Sequence, residues 1–148
     1  MNKAEELQKS RLFEGLLPEE IEMLGEVTQQ KKYAEGEVVF EQGDVGDSLY
    51  LLVEGAVEVL HKREDGKEHI ITVLEAPEFF GEMSLIDKEY RSATIRANSE
   101  AVMLCLTNEN LHSFARVYKN GFTLVVINIA RVLSSRLRET NQKLIEKM

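Results

Sequence analysis

The chain has 148 residues, 43% of them apolar and 30% charged, which suits one soluble globular domain long enough to bury a core. Its formal net charge of −8 disfavours broad contact with nucleic acid or acidic membrane surfaces, so an anionic ligand would have to be captured locally by a few oriented donors. A single cysteine, Cys105, excludes an internal disulfide framework and any iron–sulfur or zinc site built on several thiolates.

Met1 to Glu6 runs into a polar helix rather than a signal peptide, and an apolar run such as Leu124 to Ile127 is far too short to span a bilayer. A cytoplasmic location is therefore expected, with no membrane partner. Residues 3–13 read as a short amphipathic helix ending near Leu12 and Phe13. A second helix starts at Leu17-Pro18-Glu19-Glu20, because proline suits the first helical position and the carboxylates favour the positive end of the dipole. Ile21 and Leu24 should dock it, and Gly25 can end it.

From Val27 the period changes. Val38–Phe40, Leu49–Val53, Val57–Leu60 and Ile70–Leu74 are short β-branched or aromatic runs, punctuated by Gly36, Gly43, Gly46, Gly55 and Gly66. Asp65-Gly66 is a two-residue hairpin signal between strands 56–63 and 67–75. Two further strands fall near 91–97 and 100–106. Many short strands with frequent glycine turns indicate a sandwich or barrel. The helical period then returns. Thr107 is a candidate N-cap for a short helix carrying Leu111, Phe114 and Ala115. Gly121 interrupts, and a long helix runs from about Phe122 to the C-terminus. Its apolar positions Val126, Ala130, Leu133, Leu137 and Leu144 form a heptad seam with Thr140 in one slot, as in a two-helix coiled coil. Packing against its own domain alone is the competing reading. A single domain over 1–148 is expected, with helices in 1–26, an all-β core in 27–106 and helices in 107–148.

Between the predicted strands, residues 79–94 carry the chemistry. Gly81 allows a ligand close to the backbone. Met83-Ser84-Leu85-Ile86 can form a helical turn whose first N–H groups attract an anion. Ten residues beyond Gly81, Arg91 offers a planar fork suited to a phosphate. Glu82 would repel an anion, but fits as acceptor from a neutral diol while Arg91 offsets its charge. Phosphate plus sugar hydroxyl describes a nucleotide. An ordinary loop with a Glu82–Arg91 surface salt bridge is equally compatible with these residues alone.

The Phe79-Phe80-Gly81-Glu82…Leu85…Arg91-Ser92-Ala93-Thr94 pattern, with Gly36, Gly43-Asp44, Leu49-Tyr50 and Gly55 at roll turns, resembles the cyclic-nucleotide-binding domain of catabolite activators and protein kinase A regulatory subunits. The likeness covers about residues 10–145. It implies a mainly β fold: a β-roll or jelly roll (double-stranded β-helix) with N-terminal helices and a long C-terminal helix. It implies that Glu82 accepts the ribose 2′-OH and that Arg91 and Ser92 hold the cyclic phosphate. Backbone N–H groups near Ser84 and Leu85 would complete the cradle, with Gly81, Met83 and Ala93 beside it. Val59, Ile71, Thr72 and Leu74 would line the roll beneath sugar and base. On the long helix, Arg136, Thr140 and Asn141 match positions that cover the base, Thr140 across a dimer interface. The implied function is a regulatory sensor for cAMP, with cGMP as the other candidate, signalling by movement of the long helix in a homodimer, with no further cofactor.

Three departures accompany the likeness. Ala76-Pro77-Glu78 replaces the usual Gly-Asp turn before Phe-Gly-Glu. Tyr90 precedes Arg91 where kinase-type sites often carry proline. The long helix reaches Met148 without the helix-turn-helix of bacterial activators, so no direct nucleic-acid contact is expected and the output would pass to an unidentified effector protein. Lys31, Lys32, Lys62 and Arg63 are scattered and read as a solvated face. Two other classes compete. A degenerate domain serving only dimerisation is disfavoured by the intact Glu82 and Arg91. A cupin-like metal enzyme is disfavoured because His61, His69 and His112 include no His-x-His pair, and no catalytic triad is visible; the chain reads as a non-enzyme.

Overall fold

Successive side chains of a strand point to opposite faces of a sheet, so a strand apolar at every position must be covered twice. Two strands of this protein, β3 (Ser48–Glu54) and β8 (Ala101–Thr107), are of that kind at all but their end residues. Leu49, Leu51, Leu104 and Leu106 pack against helices, while Tyr50, Leu52, Met103 and Cys105 pack between two sheets. The computed structural model describes residues 1–86 and 90–148, so Asp87, Lys88 and Glu89 of the 79–94 stretch lie outside the described residues.

The first sheet has the order β1-β8-β3-β6, with β1 at Gln29–Tyr33 and β6 at Phe79–Phe80. The second is β2-β7-β4-β5, with β2 at Val38–Phe40, β4 at Ala56–Lys62, β5 at Glu68–Glu75 and β7 at Thr94–Ala97. Neighbouring strands are antiparallel throughout. This is the mainly β roll with flanking helices that the family resemblance implies. Strand β5 differs from its neighbours in having most of its length exposed. On its inner face only Leu74 reaches the core, and Thr72 and Leu74 border a cavity.

Helices α1 (Lys3–Gln8), α2 (Pro18–Val27), α4 (Asn108–Val117) and α5 (Lys119–Glu146) cover the outer face of the first sheet. The single helix expected over 3–13 is instead α1 followed by a 3-10 turn, Arg11–Phe13. Ser10 causes the break, since its hydroxyl accepts from Leu12 N–H at 3.1 Å and starts a new cap. Pro18 does open α2, where the Glu20 carboxylate accepts from Leu17 N–H at 2.8 Å. Gly25 does not end α2. It lies inside the helix where α1 crosses α2, and a Cβ there would make only an ordinary contact, 3.5 Å from the Ala4 backbone nitrogen. The β4–β5 hairpin turns through three residues, not two. Gly66, at φ +84°, donates to Arg63 O at 3.0 Å, and no described non-glycine residue has positive φ, which rules out the two-residue type I′ turn.

Thr107 caps α4, accepting from Asn110 N–H at 3.1 Å. Gly121 sits within α5, not before it, and a 28-residue helix at 1.5 Å per residue is about 42 Å long. Val125, Asn128, Ile129 and Val132 face the domain. Asn128 is buried and donates to Leu12 O and Glu14 O at 3.0 Å each, fastening the N-terminal turn to α5. On the adjacent stripe, Val126, Leu137 and Leu144 of the predicted seam are exposed. No residue after Val132 is buried. Among the described residues, no helix is long and apolar enough to cross a membrane.

Candidate functional site

Three elements meet around a cavity of about 310 Å³ bounded by the roll, the short helix α3 (Met83–Ile86) and α5. Its apolar wall comes from Phe40, Val59, Leu74, Phe80 and Ile95, with Thr72 beside them. Gly81, Glu82, Ser84, Arg91, Ser92 and Ala93 supply the polar side; Met83 and Tyr90 stand at the edge, and Arg136 reaches in from α5. Eleven of the residues expected in the site therefore converge: Val59, Thr72, Leu74, Gly81, Glu82, Met83, Ser84, Arg91, Ser92, Ala93 and Arg136.

Strand β6 pairs with β3 and delivers the chain to Gly81. At φ +81° this residue adopts a backbone that side chains disfavour, and a Cβ there would lie 2.9 Å from Arg91 Nη1 and 3.1 Å from Ser48 O. The arginine needs that space. Arg91 is only 8% exposed; its Nη1 donates to Gly81 O at 3.2 Å and its Nη2 to Ser48 O at 2.8 Å and Ser48 Oγ at 3.4 Å. The guanidinium also lies 4.0 Å from the centre of the Phe40 ring, a cation–π contact. Nε is buried with no partner among the described residues. Among the described residues, five N–H donors less three bonds leaves Nε and one Nη1 hydrogen for a ligand. Burial pulls the arginine's pKa below its ordinary value, and Tyr50, Asp47, Cys105 and Asp44 pull the other way.

The loop before β3 fixes Arg91 from outside. Arg91 N–H donates to Asp44 O at 2.6 Å, and Arg91 O accepts from Gly43 N–H at 2.8 Å. Gly46 lies so close that a Cβ would be 2.9 Å from Ser84 Cβ and 3.3 Å from Arg91 Nε.

Glu82 is 6% exposed, and burial drives its pKa up. Its own backbone N–H, Arg136 and Arg91 oppose that rise, while Glu78 adds to it. Its side-chain partner is Arg136, whose Nη1 lies 3.4 Å from Oε1. The other end of that guanidinium donates to Glu78 Oε2 at 3.0 Å and Phe79 O at 3.1 Å. A buried carboxylate held by one long contact is an acceptor with lone pairs to spare.

Several expected residues are placed elsewhere. Ile71 is 60% exposed and does not line the cavity. It has no Cα partner in the ladder, because the register shifts between Val59↔Thr72 and Leu60↔Ile70. Thr72 and Leu74, two apart, face inward, which turns Ile71 out. Leu85 packs against the helix-side core. Ser84 and Leu85 N–H donate within the turn, to Gly81 O at 3.4 Å and Glu82 O at 3.0 Å, so neither is an open donor here. Thr140 and Asn141 are exposed, with Thr140 Oγ1 donating back to Arg136 O at 3.0 Å. Sequence reasoning missed Phe40, Phe80 and Ile95. The Phe79-Phe80 doublet did carry a signal: on a strand it sends one ring to each face, and Phe80 stacks on Tyr50 at 5.2 Å. His61 and His69 sit opposite each other on β4 and β5, His112 on α4, and no group of three or more potential metal ligands occurs among the described residues.

The profile described as "Cyclic nucleotide-binding domain" matches residues 30–118. The cyclic AMP receptor protein of Thermus thermophilus is 36% identical over 138 residues, covering 93% of this chain and 62% of that protein. A cAMP-dependent protein kinase regulatory subunit from Blastocladiella emersonii is 36% identical over 133 residues, covering 90% of this chain and 30% of that one. The solved structure of a cyclic nucleotide-binding domain from Methylobacillus flagellatus superposes with a TM-score of 0.86 at 26% identity, covering 99% of this chain and 83% of that one. The chain thus spans less than two thirds of the first two relatives.

Proposed function

The chain belongs to the cyclic nucleotide-binding domain family, and from that premise we propose that it is a regulatory module whose ligand is a cyclic mononucleotide, cAMP in the first instance and cGMP as the alternative. One observation carries the reading: a buried carboxylate, Glu82, and a buried guanidinium, Arg91, line one cavity with an apolar wall. The arginine's two spare donors suit a cyclic phosphate, with the Ser92 hydroxyl beside them. Glu82 suits a ribose hydroxyl, which would take the place of the long contact from Arg136. Val59, Leu74 and Thr72 suit the flat face of sugar and base.

Signalling by α5 follows the same logic. A ligand biases a helix only if it contacts that helix in one arrangement and not in another. Arg136 already projects from α5 into the cavity, and Thr140 lies one turn beyond it. The exposed stripe of Val126, Leu137 and Leu144 suits pairing with the same helix of a second copy, which would bring Thr140 and Asn141 toward a partner's ligand.

Titration calorimetry with cAMP, cGMP and 2′-deoxy-cAMP tests this. Charge-assisted hydrogen bonds contribute about 1.5–3 kcal/mol each, so Arg91→Ala should weaken cAMP binding at least about tenfold, the equivalent of about 1.4 kcal/mol. Unchanged affinity in a folded Arg91→Ala protein would refute the assignment of the phosphate site.

A further inference from the structure

The cavity mouth carries a chain of alternating charges that the binding reading does not use. Both carboxylate oxygens of Glu78 accept from Arg11 Nη2 of the N-terminal turn, at 3.0 and 3.1 Å. Oε2 also accepts from Arg136 Nη2 at 3.0 Å. The two ends of the Arg136 guanidinium are held unequally. Among the described residues, Nη2 has Glu78 and Phe79 O at 3.0 and 3.1 Å, whereas Nη1 has Glu82 alone, at 3.4 Å. The Arg136 guanidinium carbon also lies 5.0 Å from the centre of the Phe79 ring, so the side chain lies along β6. Beyond Val132 no residue of α5 is fully buried and Leu133 packs only partly against the core, so these contacts add to the hold on its distal half where packing is thin.

We infer that Glu78 is a positioning residue: it keeps Arg136 and the distal half of α5 at the cavity mouth, so that a ligand hydroxyl can displace Arg136 from Glu82 without releasing the helix. The second half of this statement rests on the binding reading above; the first half does not. Without the Glu78 charge, Glu82 is the one carboxylate left to Arg136 in this cluster. The guanidinium then has reason to move onto Glu82, where it competes with the incoming hydroxyl. Through Arg11 the same carboxylate joins α5 to the N-terminal turn, which Asn128 already fastens from the other side.

The test is Glu78→Gln in the full chain, a change that keeps size, removes the charge and leaves one acceptor oxygen in place of two. Leu12 and Phe13 stay in the core and Asn128 keeps its two bonds, so the variant retains the fold. Hydrogen exchange is measured first without nucleotide. Amides of residues 133–146 should exchange about threefold faster than in the unmodified chain at low salt, in line with a partly exposed ion pair. The difference should vanish at high salt, where the pair is screened, and in an Arg136→Gln background, where the partner is gone. Unaltered exchange in 133–146 at low salt would overturn the positioning role. Nucleotide affinity is measured second. Preference for cAMP over 2′-deoxy-cAMP should narrow by about threefold; an unchanged ratio would overturn the proposed competition at Glu82. If the unmodified chain binds no cyclic nucleotide, the binding reading fails, and the exchange result still decides the role of Glu78 in holding α5.

Discussion

Gly46→Ala probes how the site is built with the smallest possible change. Gly46 does not have the positive φ that would strain a side chain, so the added methyl acts through space alone. It would meet Ser84 Cβ at 2.9 Å, Arg91 Nε at 3.3 Å and Arg91 Cδ at 3.4 Å. None of these is the free end of a flexible chain. Arg91 is held at its backbone by Gly43 and Asp44 and at its tip by Ser48 and Gly81, and Ser84 Oγ donates to Ser48 O at 3.2 Å and Gly81 O at 2.9 Å. Relief therefore requires a shift of α3 against Arg91, the movement that separates the two halves of the proposed phosphate site. Overpacking of this kind costs about 1–3 kcal/mol. If the whole cost falls on the liganded arrangement, affinity drops by roughly 5- to 150-fold. Calorimetric titration with cAMP measures that share, and the urea midpoint measures the share that falls on folding. A loss of affinity exceeding the loss of stability is expected. Affinity equal to that of the unmodified chain would refute the claim that Gly46 keeps Arg91 and Ser84 in register.

Much of the fold was legible because its signals are local. Pro18, Thr107 and the apolar runs of β3 and β8 each state their element in a few residues, and those elements stand where expected. Strand β1 was not legible. Gln29-Gln30-Lys31-Lys32-Tyr33 has no apolar alternation, because it is an edge strand paired on one side with β8, and lysines on an edge are how sheets discourage further pairing. The glycines misled for a related reason. Gly25 and Gly121 look like helix breaks in one dimension, whereas each lies inside a helix at a place where a neighbouring element comes close. In the site, Gly81, Glu82 and Arg91 declared themselves by residue type and spacing. The wall did not. Phe40 and Ile95 come from paired strands of the second sheet, and only that pairing brings them to the same cavity. Ile71 lies outside the cavity because Thr72 and Leu74 take the inward face and their neighbour must take the other, a choice of face that residue type does not reveal. Glu78 looked like a turn residue until Arg11 and Arg136, 67 and 58 positions away, were seen to share it.

Gly121→Ala sets helix propensity against space. Alanine gains about 1 kcal/mol in a helix interior, but its Cβ would collide with the buried Glu20 carboxylate and approach Phe114 Cζ to 3.1 Å. Displacing Glu20 also strands Leu17 N–H, so a net loss of about 1–3 kcal/mol is expected in urea denaturation, and a protein as stable as the parent would refute the packing argument. Asn128→Ala leaves Leu12 O and Glu14 O without their donor and should cost about 2–4 kcal/mol by the same measurement; a change below 1 kcal/mol would show that the N-terminal turn does not depend on this amide. The final prediction concerns Glu82→Gln and pH. Burial raises the Glu82 pKa above its ordinary value of 4.5, so the folded chain holds that proton more tightly than the unfolded chain. Stability from this group is fully present below 4.5 and is lost as pH rises through the folded-state pKa. Glutamine does not titrate, so in that window denaturation should show the parent losing stability with rising pH relative to the variant. Binding runs the opposite way: a ribose hydroxyl donates best to an ionised carboxylate, so the parent's cAMP affinity should increase with pH over the same window and the variant's should not. Opposite slopes for stability and affinity, both abolished by one substitution, identify Glu82 as a charge kept for a ligand at the expense of the fold. Parallel stability profiles for parent and variant would refute it.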